Sequence, residues 1–110
     1  MSNESQCIQD MIGSELVRED PSFADIVVQF VESLSQRITT LEEAINARDF
    51  QALGIAAHQL RGSGGGYGYP ILSDQAAKLE REAKERALSD CVKSFEQLKQ
   101  LCERVVVSAD

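Results

Sequence analysis

Between Pro21 and Ala47 the apolar residues Phe23, Ile26, Val27, Phe30, Val31, Leu34, Ile38, Leu41 and Ile45 recur at steps of three and four. That spacing places side chains on one face of an α-helix. The pattern predicts a long amphipathic helix, with Asp20 as its cap and Pro21 in its first position, where a missing N–H is no loss. Asn46-Ala47-Arg48-Asp49 reads as a turn, after which Phe50, Leu53, Ala57 and Leu60 restart the period with Asp49 as the next cap. This second helix must end by Tyr69, because Pro70 pushes its predecessor out of helical geometry. Leu72, Ala76, Leu79 and Ala83 make a third stripe; Cys91, Phe95, Leu98, Cys102 and Val105 make a fourth, with Ser89 as a candidate cap between them. A shorter helix is expected around Cys7 to Leu16, weakened by Gly13. Only Val105-Val106-Val107 has strand character, and it is too short to build a sheet. Helices joined by short turns pack antiparallel. The expected fold is therefore all-α: an up-down-up-down four-helix bundle with its core over about 21–107, a short additional N-terminal helix, and a single domain over 1–110.

On the second helix, with Leu53 as the zero of the wheel, Ala57, Leu60 and Gly64 fall within about 40° of it, whereas His58 lies near 140° and Ile55, Gln59 and Gly62 lie beyond it. His58, the only histidine of the chain, is thus expected to face solvent. Gly62, one turn on, costs about 1 kcal/mol relative to alanine inside a helix. A bare backbone beside the imidazole would let another protein approach closely, and Ile55 offers an apolar contact on the preceding turn. Arg61 can reach the space above the ring and would form charge-assisted hydrogen bonds with an anion held there. The arrangement suits a histidine that carries a phosphoryl group.

Composition narrows the choice of partner. The formal charge of −7 would repel phosphate backbones and anionic lipid, so neither nucleic acid nor a membrane surface is expected, and a protein is. No stretch has the roughly 20 consecutive apolar residues of a membrane span, and the polar start lacks a signal segment. A cytoplasmic protein is expected, and the polar start with the short tail Ser108-Ala109-Asp110 favours a free-standing one. Three cysteines, Cys7, Cys91 and Cys102, make no CxxC pair and no closed disulfide framework. Cys91 and Cys102 read as reduced core filler.

His58-Gln59-Leu60-Arg61-Gly62-Ser63, followed by Gly68, resembles the signature of the histidine-containing phosphotransfer (HPt) domain family, His-x-Leu-Lys-Gly-Ser-Ser with a glycine ten residues after the histidine. The resemblance extends to the preceding long helix, to Ala76-Ala77-Lys78-Leu79-Glu80 downstream and to the bundle itself. It implies a phosphorelay intermediate without kinase activity of its own. His58 would take a phosphoryl group from a receiver-domain aspartate and pass it to another receiver domain. The partners implied are response-regulator receiver domains and a hybrid histidine kinase, met by a monomer. By the same resemblance Arg61 stabilises the phosphoryl group, Gly62 gives access, and Glu80 holds Nδ1–H so that Nε2 is the nucleophile. Ile55, Gln59 and Gly62 would form the partner-binding face. The chain departs from the pattern in having Arg61 for lysine, a planar fork in place of a point charge, and Gly64 for the second serine.

Other readings of the same residues are poorer. The run Gly62 to Gly68 follows a helix and contains no lysine, unlike a phosphate-binding P-loop. One histidine with scattered cysteines offers no metal ligand set, so neither a metal nor a cofactor is expected in this chain; a divalent cation would belong to the receiver. Hydrolysis of a phosphate ester would need a general acid near His58, for which only Glu80 is available. Glu80 could instead pair with Lys84 one turn on. The strongest alternative is an adaptor that binds a protein through the Ile55–Gly62 face without phosphorylation.

Overall fold

The computed structural model describes residues 11–109. Their order is a short helix α1 (Glu15–Glu19), a 3-10 turn (Pro21–Phe23) and four longer helices, α2 (Ala24–Asn46), α3 (Phe50–Gly66), α4 (Pro70–Lys84) and α5 (Leu88–Glu103). The connections 47–49, 67–69 and 85–87 are too short for anything but antiparallel neighbours. Helix α3 packs most extensively on α4, α4 on α5, and α2 on both α3 and α5, which closes a ring with α3 diagonal to α5. This is the expected all-α bundle with a short helix before it.

Its core is drawn from the four predicted stripes, with Val27, Phe30, Leu34 and Leu41 facing Leu53, Ala57 and Leu60, then Leu72, Ala76, Leu79 and Ala83, then Cys91, Phe95 and Leu98. Phe23 and Ile26 depart from the α2 stripe, being 36% and 47% exposed. Phe23 belongs to the 3-10 turn, and α2 is longer than the helices it packs on, so its first turn is partly uncovered. Tyr67 and Tyr69 are packing residues, stacked on Phe30 with ring centroids 5.1 and 5.7 Å away.

The helix starts differ in detail from expectation. The Asp20 carboxylate accepts from Ser22 N–H and so caps the 3-10 turn, which contains Pro21, while α2 begins at Ala24 without a side-chain cap. Asp49 caps α3 through Ala52 N–H at 3.0 Å. Ser89 lies inside α5, which starts after Ala87. Of the short helix expected around Cys7 to Leu16, positions 7–10 lie outside the described residues and 11–13 are not helical; a helix starts at Glu15, where the Ser14 hydroxyl accepts from Val17 N–H.

Three helices end alike. Arg48 (φ 53°), Gly68 (φ 93°) and Arg86 (φ 57°) have left-handed backbones. The residue after each donates back to a carbonyl in the last turn: Asp49 to Ala44, Tyr69 to Gly64 and Ala87 to Glu82. These are Schellman closures, for which glycine is the usual residue.

Helix α3 contains five glycines, Gly54, Gly62, Gly64, Gly65 and Gly66, so its own propensity is poor and contact with α4 must hold it. Gly64 allows the approach: a Cβ there would lie 3.2 Å from Leu72 Cβ and 3.3 Å from Ser73 N. The Ser73 hydroxyl donates to the Arg61 carbonyl at 2.9 Å. The small residues therefore seat α4 against the half of α3 that follows His58.

Candidate functional site

His58 stands in the middle of α3 with its side chain 65% exposed, on the face opposite the Leu53–Ala57–Leu60 stripe. Exposed Ile55 and Gln59 lie on the same side. Gly62 is exposed too, and a Cβ added to it would meet nothing within 4 Å. No packing inside the protein requires glycine there, in contrast to Gly64.

Glu80 comes from α4, the helix held close to α3 by those glycines. Only 6% of the residue is exposed, yet its carboxylate emerges beside the imidazole: Oε2 is 3.0 Å from His58 Nδ1 and Oε1 accepts from Arg61 Nη1 at 2.9 Å. Lys84 Nζ lies 3.4 Å from Oε2, one turn on. The sequence reading set the Lys84 pair against the His58 contact; both exist, because the carboxylate has two oxygens and several lone pairs. Burial opposes ionisation of Glu80, but the hydrogen bonds from Arg61 and His58 and the contact with Lys84 outweigh it and hold the carboxyl below the usual carboxylate range. An ionised carboxylate only accepts hydrogen bonds, so the imidazole nitrogen that faces it, Nδ1, is the donor of the pair.

Arg61 is half exposed, and its guanidinium is parked on Glu80 within a turn of His58. Lys84, which the four-residue step from Glu80 offers only as an alternative to the His58 contact, joins the same cluster. Sequence reasoning missed a groove of about 480 Å³ beside the imidazole, lined by Phe50, Gly54, Ile55, Ala83, Lys84 and Arg86 together with His58. Cys91 and Cys102 are free thiols. Burial raises both, Cys102 to about 11, and neither adjoins the site. Cys7 lies outside the described residues.

Residues 25–107 match the family model of the Hpt domain. The chain belongs to the Hpt domain family. No curated protein and no solved structure matches it. Hpt domains are phosphocarrier modules that work with receiver domains and kinases, so the role of this chain is phosphotransfer within a two-component phosphorelay. The match spans almost all of the four-helix bundle, while α1 and the 3-10 turn precede it. Among the described residues, no helix is long and apolar enough to cross a membrane.

Proposed function

We propose that His58 Nε2 is the phosphoacceptor of this Hpt domain, taking the phosphoryl group from the aspartate of one receiver domain and giving it to another. The observation that supports this reading is an exposed imidazole whose inner nitrogen is hydrogen-bonded to a buried carboxylate. In the first transfer the Nε2 lone pair attacks the phosphorus of the aspartyl phosphate. The P–N bond forms, the P–O bond breaks, and its electron pair leaves on the aspartate carboxylate. The Nδ1 proton stays in place, so the phosphorylated ring is cationic and Glu80 stabilises the charge that develops on it. In the second transfer an aspartate of the next receiver attacks the phosphorus, and the neutral imidazole leaves.

Arg61 turns from Glu80 to the phosphoryl oxygens, where a planar donor fork fits two of them. Gly62 leaves room for the incoming receiver, and Ile55 and Gln59 supply contacts around it. The chain acts in this way as a cytoplasmic monomer and a single domain, receiving phosphate through a receiver such as that of a hybrid histidine kinase.

The test is phosphotransfer from a phosphorylated receiver domain to the wild type and to His58→Gln. The expected adduct appears on the wild type alone and is labile in acid and stable in base, as a phosphoramidate is. A wild type that binds receivers without labelling would favour the adaptor reading, and equal labelling of His58→Gln would remove His58 from the role.

A further inference from the structure

The groove beside His58 is lined on its α3 side by Phe50, Gly54 and Ile55 and on its α4 side by buried Ala83. Its opening exists because residue 54 has no side chain. Glycine in mid-helix is unfavourable, and tight packing does not demand it at this position: a Cβ on Gly54 would meet only Ala83 Cβ, at an ordinary 3.8 Å. The hollow lies one helical turn from the imidazole, roughly 6 Å along the axis.

Its rim is cationic in a chain whose net charge is −7. Lys84 stands on one side, paired with Glu80. Arg86 stands at the far end, with its guanidinium 5.0 Å from the centroid of the Phe50 ring. Among the described residues Arg86 makes no ion pair with a carboxylate. An apolar floor continuous with the phosphoacceptor and a rim of positive charge select an apolar side chain with an acidic neighbour. A receiver domain that exchanges phosphate with His58 must lie over this hollow, because Gly54 precedes the imidazole by one helical turn and both line the groove.

We propose that this groove is a specificity subsite for the receiver domain: a bulky apolar side chain of the docked receiver enters the hollow over Gly54, and a carboxylate next to it pairs with Arg86. The proposal rests on the phosphocarrier reading and adds to it which receivers are accepted. It places part of the recognition between α3 and α4, on the Glu80 side of the histidine, in addition to the Ile55–Gly62 face.

The test fills the hollow. Gly54→Leu has room for its Cβ and gains helix propensity, so it should fold as well as the wild type. With a cognate receiver as donor, its half-saturating receiver concentration should rise about tenfold, which is about 1.4 kcal/mol. Labelling by phosphoramidate, a small donor with no surface to dock, should keep its rate in the same variant. Arg86→Asn, which tolerates the left-handed backbone, should raise the half-saturating concentration about threefold and weaken its dependence on salt. Glu96→Leu, exposed on α5 and diagonal to α3, serves as the control and should change neither measurement.

Unchanged saturation by Gly54→Leu overturns the subsite. So does an equal loss with phosphoramidate, which would mean that the leucine disturbs the imidazole. If sedimentation shows that the wild type self-associates and Gly54→Leu abolishes this, a second copy fills the groove and the proposal is wrong. Failure of the wild type to take phosphate from any receiver would overturn the phosphocarrier reading instead, before the variants are compared.

Discussion

The two oxygens of Glu80 are divided among three partners, with Oε1 on Arg61 and Oε2 shared by His58 and Lys84. That its side chain would reach the imidazole depends on how closely α3 and α4 approach, and single-helix periodicity does not encode that. Glu80→Gln retains an oxygen for Nδ1–H but loses the charge, and Glu80→Ala loses both. Transfer measured by rapid quench should fall on the order of tenfold for Gln, the scale of one charge-assisted hydrogen bond, and further for Ala. Equal rates for all three proteins would remove Glu80 from the chemistry. The same carboxylate links stability to pH. Its pKa is depressed below the ordinary 4.5, so its contribution is present above that pH and is lost as pH falls through the folded value. The difference in urea midpoint between wild type and Glu80→Gln should therefore be largest near neutrality and shrink as pH falls below about 4.5. Arg61, expected from sequence to await an anion, already has one in Glu80, and it must leave that carboxylate to serve a phosphoryl group. Arg61→Ala should slow transfer by about tenfold while lowering the thermal midpoint only modestly, since Glu80 keeps His58 and Lys84 as partners. A rate equal to wild type would leave Arg61 a surface partner of Glu80 and nothing more.

Helix α3 shows how two glycines on one element differ in their reason. By sequence Gly62 reads as a propensity cost repaid by access for a partner, and Gly64 as a departure from the family signature on the core face. In the folded bundle, Gly64 is buried against Leu72 and Ser73, where backbone cannot retreat from a Cβ, whereas Gly62 meets open space. Gly62→Ala should therefore realise the propensity gain of about 1 kcal/mol, and Gly64→Ala should realise markedly less or become destabilising, because the crowding at Ser73 N offsets it. Urea unfolding of the two variants decides this, and equal stabilisation would mean that α4 can shift without cost. The long stripes made the four bundle helices legible with bounds close to those observed, because each buries a face of 3.6-residue period. Caps were less legible. Asp20 and Ser89 are good capping residues by type, but one closes a 3-10 turn and the other sits inside α5. The left-handed closures at Arg48 and Arg86 were invisible, since nothing about arginine announces a positive φ.

At the scale of the whole molecule, one end of the bundle is closed by chain that lies outside or at the edge of the family span. Ile12 N–H donates to the Arg104 carbonyl and Val106 N–H to that of Ile12, which pairs Ile12 with Val105 as a single parallel bridge. Ser14 N–H reaches the Val107 carbonyl, the Ser14 hydroxyl the Tyr67 carbonyl at 2.6 Å, and Glu15 N–H the carbonyl of Gly68. Gly68 must be glycine in this knot: its φ is positive, and a Cβ would lie 2.5 Å from Leu16 N. The knot explains why the valines near the C-terminus looked like a strand without making a sheet; their partner is a strap some ninety residues earlier, and pairing at that range leaves no periodic trace. Tyr69 ties the same end from inside, fully buried, with its hydroxyl donating to the Val106 carbonyl at 2.8 Å. Burial pushes its pKa up to about 12. A phenol whose folded pKa is raised stabilises the fold fully below its unfolded value, near 10, and progressively less as pH climbs from there towards the folded value. Tyr69→Phe should lose about 1 kcal/mol at neutral pH through the missing hydrogen bond, and the deficit against wild type should narrow above about pH 10 because phenylalanine has no proton to lose. Chemical denaturation at pH 8 and pH 11 gives the comparison, and a deficit that stays constant over that range would show that the buried hydroxyl does not couple the strap end of the bundle to alkaline pH.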